Sequence, residues 1–146
     1  MNHDQIAYCG LYCEECPFYK GKIADLARDL RKELRDSKFS NIAESIPFKE
    51  FKNYEICYEV LGALVKIRCK SACRKGGGNP FCAIRKCSQK KNFPGCWECE
   101  DINNCKRLDA LKAGHGDAHI KNLRKIKKKG IDIFLQGPIH WYSKIK

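Results

Sequence analysis

The chain has 146 residues, a formal net charge of +12 and 11 cysteines. That length suits one ordinary domain, and no apolar run approaches the roughly 20 residues of a membrane-spanning helix. With 32% of residues charged, and cysteine swelling the hydrophobic share, the aliphatic core is modest. A small core needs a staple, either disulfide or metal.

Metal is the staple the sequence favours. The start, Met1-Asn2-His3-Asp4-Gln5-Ile6, has no basic segment followed by an apolar run, so no secretory signal is expected and the chain reads as cytoplasmic. Thiols stay reduced there, and close-spaced cysteines then mean metal or redox chemistry. An odd count also prevents complete internal pairing.

Tyr8 to Tyr19 is irregular and dense in cysteine. Lys22 to Arg35 predicts an amphipathic helix, with Ile23, Leu26, Ala27, Leu30 and Leu34 on its apolar face. Ser37 to Ser45 reads as a polar loop. Ser45 then suits a cap and Pro47 a first turn. Phe48, Phe51, Tyr54, Tyr58, Leu61 and Val65 keep helical spacing through Lys66, with Cys57 read as a core residue and Gly62 as a point of close packing.

Cys69 to Cys105 has no periodicity but holds seven cysteines, a Gly76-Gly77-Gly78-Asn79-Pro80 turn and an Asn92-Phe93-Pro94-Gly95 turn. Such a stretch is too long for an unsupported loop, and metal ligation would order it. Further on, Asn104 suits the cap of a short helix through Leu108 and Leu111, ended by Gly114. Asp117 suits the cap of another carrying Ile120, Leu123 and Ile126, with Gly130 as its stop. Ile131 to Leu135 fits either a last helical turn or a strand. The expected fold is a single domain over residues 1–146, mainly α, with a small α+β arrangement as the alternative. In it, irregular cysteine-rich metal-binding loops pack against amphipathic helices.

Ten cysteines fall into close groups: Cys9, Cys13 and Cys16; Cys69 and Cys73; Cys82 and Cys87; Cys96, Cys99 and Cys105. Short spacing lets two sulfurs reach one ion from a tight turn, and two such knuckles complete a tetrahedron. Zinc, as about two ions, is the reading that follows. An iron–sulfur cluster is the alternative, since it also takes four thiolates and often a following proline, as in Cys16-Pro17. His115, between two glycines, is a further ligand candidate. Two four-thiolate zinc sites would lower the effective charge to about +8, because ligating thiols are ionised.

Tyr8-Cys9-Gly10-Leu11-Tyr12-Cys13-Glu14-Glu15-Cys16-Pro17, then Cys82-Ala83-Ile84-Arg85-Lys86-Cys87, Cys96-Trp97-Glu98-Cys99 and Cys105-Lys106-Arg107-Leu108 resemble a prokaryotic cysteine-rich family. It is catalogued as domain of unknown function 3795. His119 to Ile126 with Gly130-Ile131 is similar to its closing helix. The resemblance implies metal binding and assigns no biochemical role. Relatives are expected to carry a tighter pair at Cys69 and Cys73 and a shorter insert between Ser37 and Lys66.

No His-x-Glu or His-Glu-x-x-His arrangement, nucleophile triad order, P-loop or dinucleotide fingerprint occurs, although Glu14, Glu15 and Glu98 neighbour ligand candidates. The Gly76 to Gly78 run reads as a flexible turn. The chain is therefore read as a metal-binding protein with mainly structural metal, an interaction module more than an enzyme, with an iron–sulfur redox or electron-transfer protein as the alternative. Lys121, Arg124, Lys125, Lys127, Lys128 and Lys129 give it a basic surface near the carboxyl end for nucleic acid or a protein partner. Phe93, Trp97, Trp141 and Tyr142 are the aromatics that could stack on bases.

Overall fold

A computed structural model describes residues 2–144. The chain is 66% helical with almost no strand, so the fold is mainly α. Among the described residues, extended pairing is confined to the isolated bridges Ile6–Tyr12 and Gly116–Ser143. Two compact units form: Pro17–Cys69, and Met1–Cys16 joined with Lys70–Lys146.

The Pro17–Cys69 unit holds helices α1 (Pro17–Lys20), α2 (Lys22–Asp36), α3 (Phe39–Ser45) and α4 (Tyr54–Lys66). α2 packs on α4 through small residues. Ala24, Ala27, Ala43 and Gly62 are buried, whereas Leu26 is 60% exposed and Ile23 and Leu30 lie open beside it. The expected core face of α2 is thus displaced sideways. A ridge of alanines lets the backbones approach closely, and the bulkier side chains flank the contact. Gly62 does mark a close approach, since a Cβ there would stand 3.1 Å from the Arg31 guanidinium, which lies over the Tyr58 ring.

Three local expectations are corrected in this unit. Ser37 to Ser45 is not a loop. Ser37 closes α2 with its N–H on the Glu33 carbonyl, Lys38 turns through a left-handed φ of 51°, and α3 follows. Phe39 anchors α3 by packing against the Phe51 and Tyr54 rings. The second long helix begins at Tyr54 rather than near Pro47, because Lys49–Asn53 is a 3₁₀ segment. Cys57 is exposed, not part of a core.

The other unit centres on α8 (Ala118–Lys129), with α5 (Ala83–Lys90), α6 (Lys106–Asp109), α7 (Lys112–His115) and α9 (Ile131–Gln136). Leu123 and Ile126 of α8 pack with Ile6, Tyr12, Trp97, Leu108 and Phe134 in its apolar core. Asp117 and Gly130 bound α8 as the sequence suggests, Gly130 at a φ of 81°. Asp117 does not cap with its side chain; it pairs with Lys121 at 2.9 Å. Ile131 to Leu135 is helical. The single helix expected from Asn104 to Gly114 is two one-turn helices, and the reversal falls at Gly116. α5 lies inside the stretch read as irregular.

Candidate metal centre

Among the described residues no disulfide joins the cysteines, and the fold gathers several of them. Cys82 is the N-cap of α5 and Cys87 lies within that helix. Cys96 opens a 3₁₀ turn, Cys96–Glu98, and Cys105 is the N-cap of α6. Gly95 permits the first of these turns: a Cβ on it would run into the Trp97 ring, which is buried in the core.

Cys87, Cys96, Cys99 and Cys105 line one small cavity of about 30 Å³, closed by Ile84, Ile102 and Leu108 and edged by Lys91 and Arg107. A cavity of that size takes one water-sized occupant. Ser88, buried, sits 3.3 Å from the Cys96 sulfur. The Lys91 ammonium donates to the Cys99 sulfur at 3.9 Å, and Lys127 donates to the Cys99 carbonyl at 3.3 Å.

A second gathering surrounds Arg85. Cys73 opens the 3₁₀ turn Cys73–Lys75. The Arg85 guanidinium donates to the carbonyls of Cys73, Gly77 and Asn79 at 2.8–2.9 Å and approaches the Cys73 sulfur at 4.0 Å. The backbone N–H of Arg85 reaches the Cys82 sulfur at 3.5 Å. The triple-glycine segment is therefore pinned rather than slack.

Burial, opposed by the Leu11 backbone and aided by Cys73, Cys96 and Cys82 nearby, pushes the Cys9 thiol up to about 12. Burial likewise raises Cys73, opposed by the Arg85 charge, and raises Cys96, opposed by Ser88, with Cys105, Cys87 and Cys99 adding repulsion. Cys96 is thus within electrostatic reach of Cys9 as well as of Cys87, Cys99 and Cys105. Packed, desolvated thiols resist ionisation on their own, and a divalent cation among them would release their protons.

Four thiols are the donor type that both zinc and iron–sulfur clusters take. The sulfurs do not converge, however. Among the described residues, no group of three or more His, Cys, Asp or Glu side chains stands in an arrangement that could hold a metal ion.

The remaining candidates fall elsewhere. Cys13 is buried in the 3₁₀ turn Cys13–Glu15, which Cys16 ends. Cys69 belongs to the Pro17–Cys69 unit, where its N–H bonds the Phe18 carbonyl. His115 is half-buried in α7, with Nδ1 2.9 Å from the Trp141 carbonyl oxygen. Arg85, Ser88 and Lys91 escaped the sequence reading. Their signal is the spacing of Arg85 and Ser88 along a helix between two cysteines, visible once α5 is recognised.

The basic residues of α8 are largely engaged inside their own unit. Lys121 binds Asp117 and Ser143, Arg124 binds Asn103, and Lys125 donates to the Phe134 and Pro138 carbonyls. Lys128 and Lys129 are exposed. Trp97 is core, Trp141 stands edge-on to His115, and Tyr142 is 59% exposed. Among the described residues, no helix is long and apolar enough to cross a membrane.

The family model described as "Protein of unknown function (DUF3795)" matches residues 5–110. No curated protein and no solved structure matches the chain. The matched span takes in every close-spaced cysteine, and the chain belongs to that family.

Proposed function

We propose that this member of the family is a zinc-binding protein of a reducing, cytoplasmic compartment, with metal that serves mainly to hold the fold. The observation that supports this reading most directly is the cavity shared by Cys87, Cys96, Cys99 and Cys105. Four thiols from α5, two turns and the α6 cap line it beside Ile84, Ile102 and Leu108. An ion there would cross-link these segments, and structural zinc contributes folding energy directly. Closing the site requires the sulfurs to draw inward, as is usual where binding and folding are coupled.

Bound zinc would supply a fixed tetrahedral cross-link; the rest of the work belongs to the chain. Ser88 and Lys91 place hydrogen-bond donors near two of the sulfurs, and Lys91, Arg107 and Lys127 offset the negative charge of four thiolates. An interaction with protein or nucleic acid would use surface outside this site, and for α8 the exposed Lys128 and Lys129 are the available charges.

The test is purification without oxygen, followed by metal analysis and a visible spectrum. Zinc at one or more equivalents in a colourless protein is expected. Iron with sulfide and a brown colour would replace zinc by the cluster reading. A folded protein free of metal would end both.

A further inference from the structure

α4 is apolar on two sides. On one, Tyr54, Tyr58, Leu61, Gly62 and Val65 are buried or half-buried, with Gly62 against the Arg31 guanidinium of α2. On the other, Ile56, Val60 and Ala63, with Ile67 at the helix end, recur at intervals of four, three and four residues. That spacing draws one stripe along the helix, with the period by which helices pair side by side. All four residues are exposed, Ile56 by 62% and Val60 by 53%. Single exposed aliphatics are ordinary, but a helix apolar on opposite sides is the pattern of one that is covered on both. The outer stripe lacks the cover that α2 gives the inner one.

The charges beside the stripe select what covers it. Glu55 and Glu59 lie toward the start of α4 and Lys66 at its end, and helical spacing puts all three along one flank of the stripe. They are exposed, and among the described residues none of them is in an ion pair. Laid parallel against a second α4, acid would meet acid and base would meet base. Laid antiparallel, Lys66 of each copy comes opposite Glu55 and Glu59 of the other, Val60 faces Ala63, and Ile56 faces Ile67. The helix dipoles are then opposed as well, which is the favourable arrangement.

We propose that the chain forms a two-fold symmetric dimer in which α4 pairs antiparallel with α4 of a second copy. Ile56, Val60, Ala63 and Ile67 form its seam, and Glu55, Glu59 and Lys66 its charged flank. The stripe is self-complementary, as a two-fold contact requires. It contains none of the clustered cysteines and does not depend on the zinc reading. α4 has 13 residues and is about 20 Å long. A seam of that length lies at the small end of specific interfaces, so the dimer is reversible and concentration-dependent.

The test is analytical ultracentrifugation of the full chain as purified, with a reductant present so that the exposed Cys57 does not cross-link copies. A shift from monomer to dimer is expected between micromolar and near-millimolar concentration. Val60→Glu sets two like charges beside the two-fold axis and should weaken the dimer by about tenfold or more. Glu59→Lys and Lys66→Glu act twice in each dimer and should each weaken it by about threefold or more. Combining them restores opposite charges across the seam and should recover most of the loss. These positions are exposed, so circular dichroism should show the parent's helicity in every variant.

A protein that stays monomeric throughout would overturn the proposal. So would a dimer that Val60→Glu leaves intact, since it must use another surface. A double variant no better than either single one would overturn the antiparallel pairing. If Val60→Glu loses helicity, association of the parent and the charge exchange between positions 59 and 66 decide.

Discussion

At the scale of single residues, the least compensated group is His119. Its side chain is fully buried and neither ring nitrogen has a hydrogen-bond partner. Burial lowers its affinity for a proton, and His115 and Lys112 lower it further, against Asp117. The Leu108 backbone approaches and favours the charged form without completing a hydrogen bond. Above pH 6.5, the ordinary histidine value, folded and unfolded chains are both neutral there and nothing is lost. As pH falls below 6.5, the unfolded chain takes up a proton that the folded chain resists. Stability should then decline until pH passes below the lowered folded value. His119→Leu, which removes two unsatisfied nitrogens at similar volume, should match or exceed the parent at pH 7.5, by up to about 2 kcal/mol. Its stability should fall less between pH 6.5 and 5, measured by urea unfolding. An equal decline in both proteins would show that His119 is not the titrating group.

At the scale of elements, what could be read in advance depended on where burial came from. α8 was legible because Leu123 and Ile126 repeat on one face and Gly130 stops the helix; its burial agrees with its periodicity. α2 was legible as a helix but not in its facing, since Ala24 and Ala27 rather than its leucines are its buried side chains. Hydrophobic spacing reports an amphipathic face and is silent on whether small residues bring another backbone close. α5 was hidden because its buried side of Ile84, Arg85 and Ser88 contains one apolar residue, and cysteines drew attention to loops. The close spacing of the cysteines was visible in the sequence; that Cys87, Cys96, Cys99 and Cys105 line one cavity was not, since it depends on how α5 and the turns after it are placed. The Cys73–Asn79 turn can itself be tested. A Cβ on Gly77 would enter the Ser71 carbonyl, and backbone cannot yield as a flexible side chain can. Gly77→Ala should cost about 2–4 kcal/mol by displacing the Ala72–Asn79 backbone that Arg85 binds. Gly114→Ala, which meets nothing within 4 Å, should cost little. Similar losses in the two would mean the turn relaxes freely.

At the scale of the whole molecule, the two units differ in what holds them. In Pro17–Cys69 the buried side chains include Ala24, Ala27 and Ala43, while Leu26, Phe48, Ile56 and Val60 are more than half exposed. At roughly 25 cal/mol per Å², alanine contacts contribute little, so this unit should open readily on its own. The unit around α8 buries Ile6, Leu108, Leu123 and Phe134 almost completely and also contains the two thiol gatherings. Its stability should therefore combine an apolar part with a metal-dependent part, whereas that of the α2–α4 pair should not respond to metal through its own residues. Amide hydrogen exchange separates these contributions, because each helix reports its own opening free energy. In metal-loaded protein α2 and α4 should exchange faster than α8. A strong chelator should then speed exchange in α5 and in the Cys96–Cys105 turns by orders of magnitude, more than in α2. If the chelator leaves α5 and those turns as protected as before, zinc does not hold this fold, and the thiols of Cys87, Cys96, Cys99 and Cys105 must be explained by packing alone.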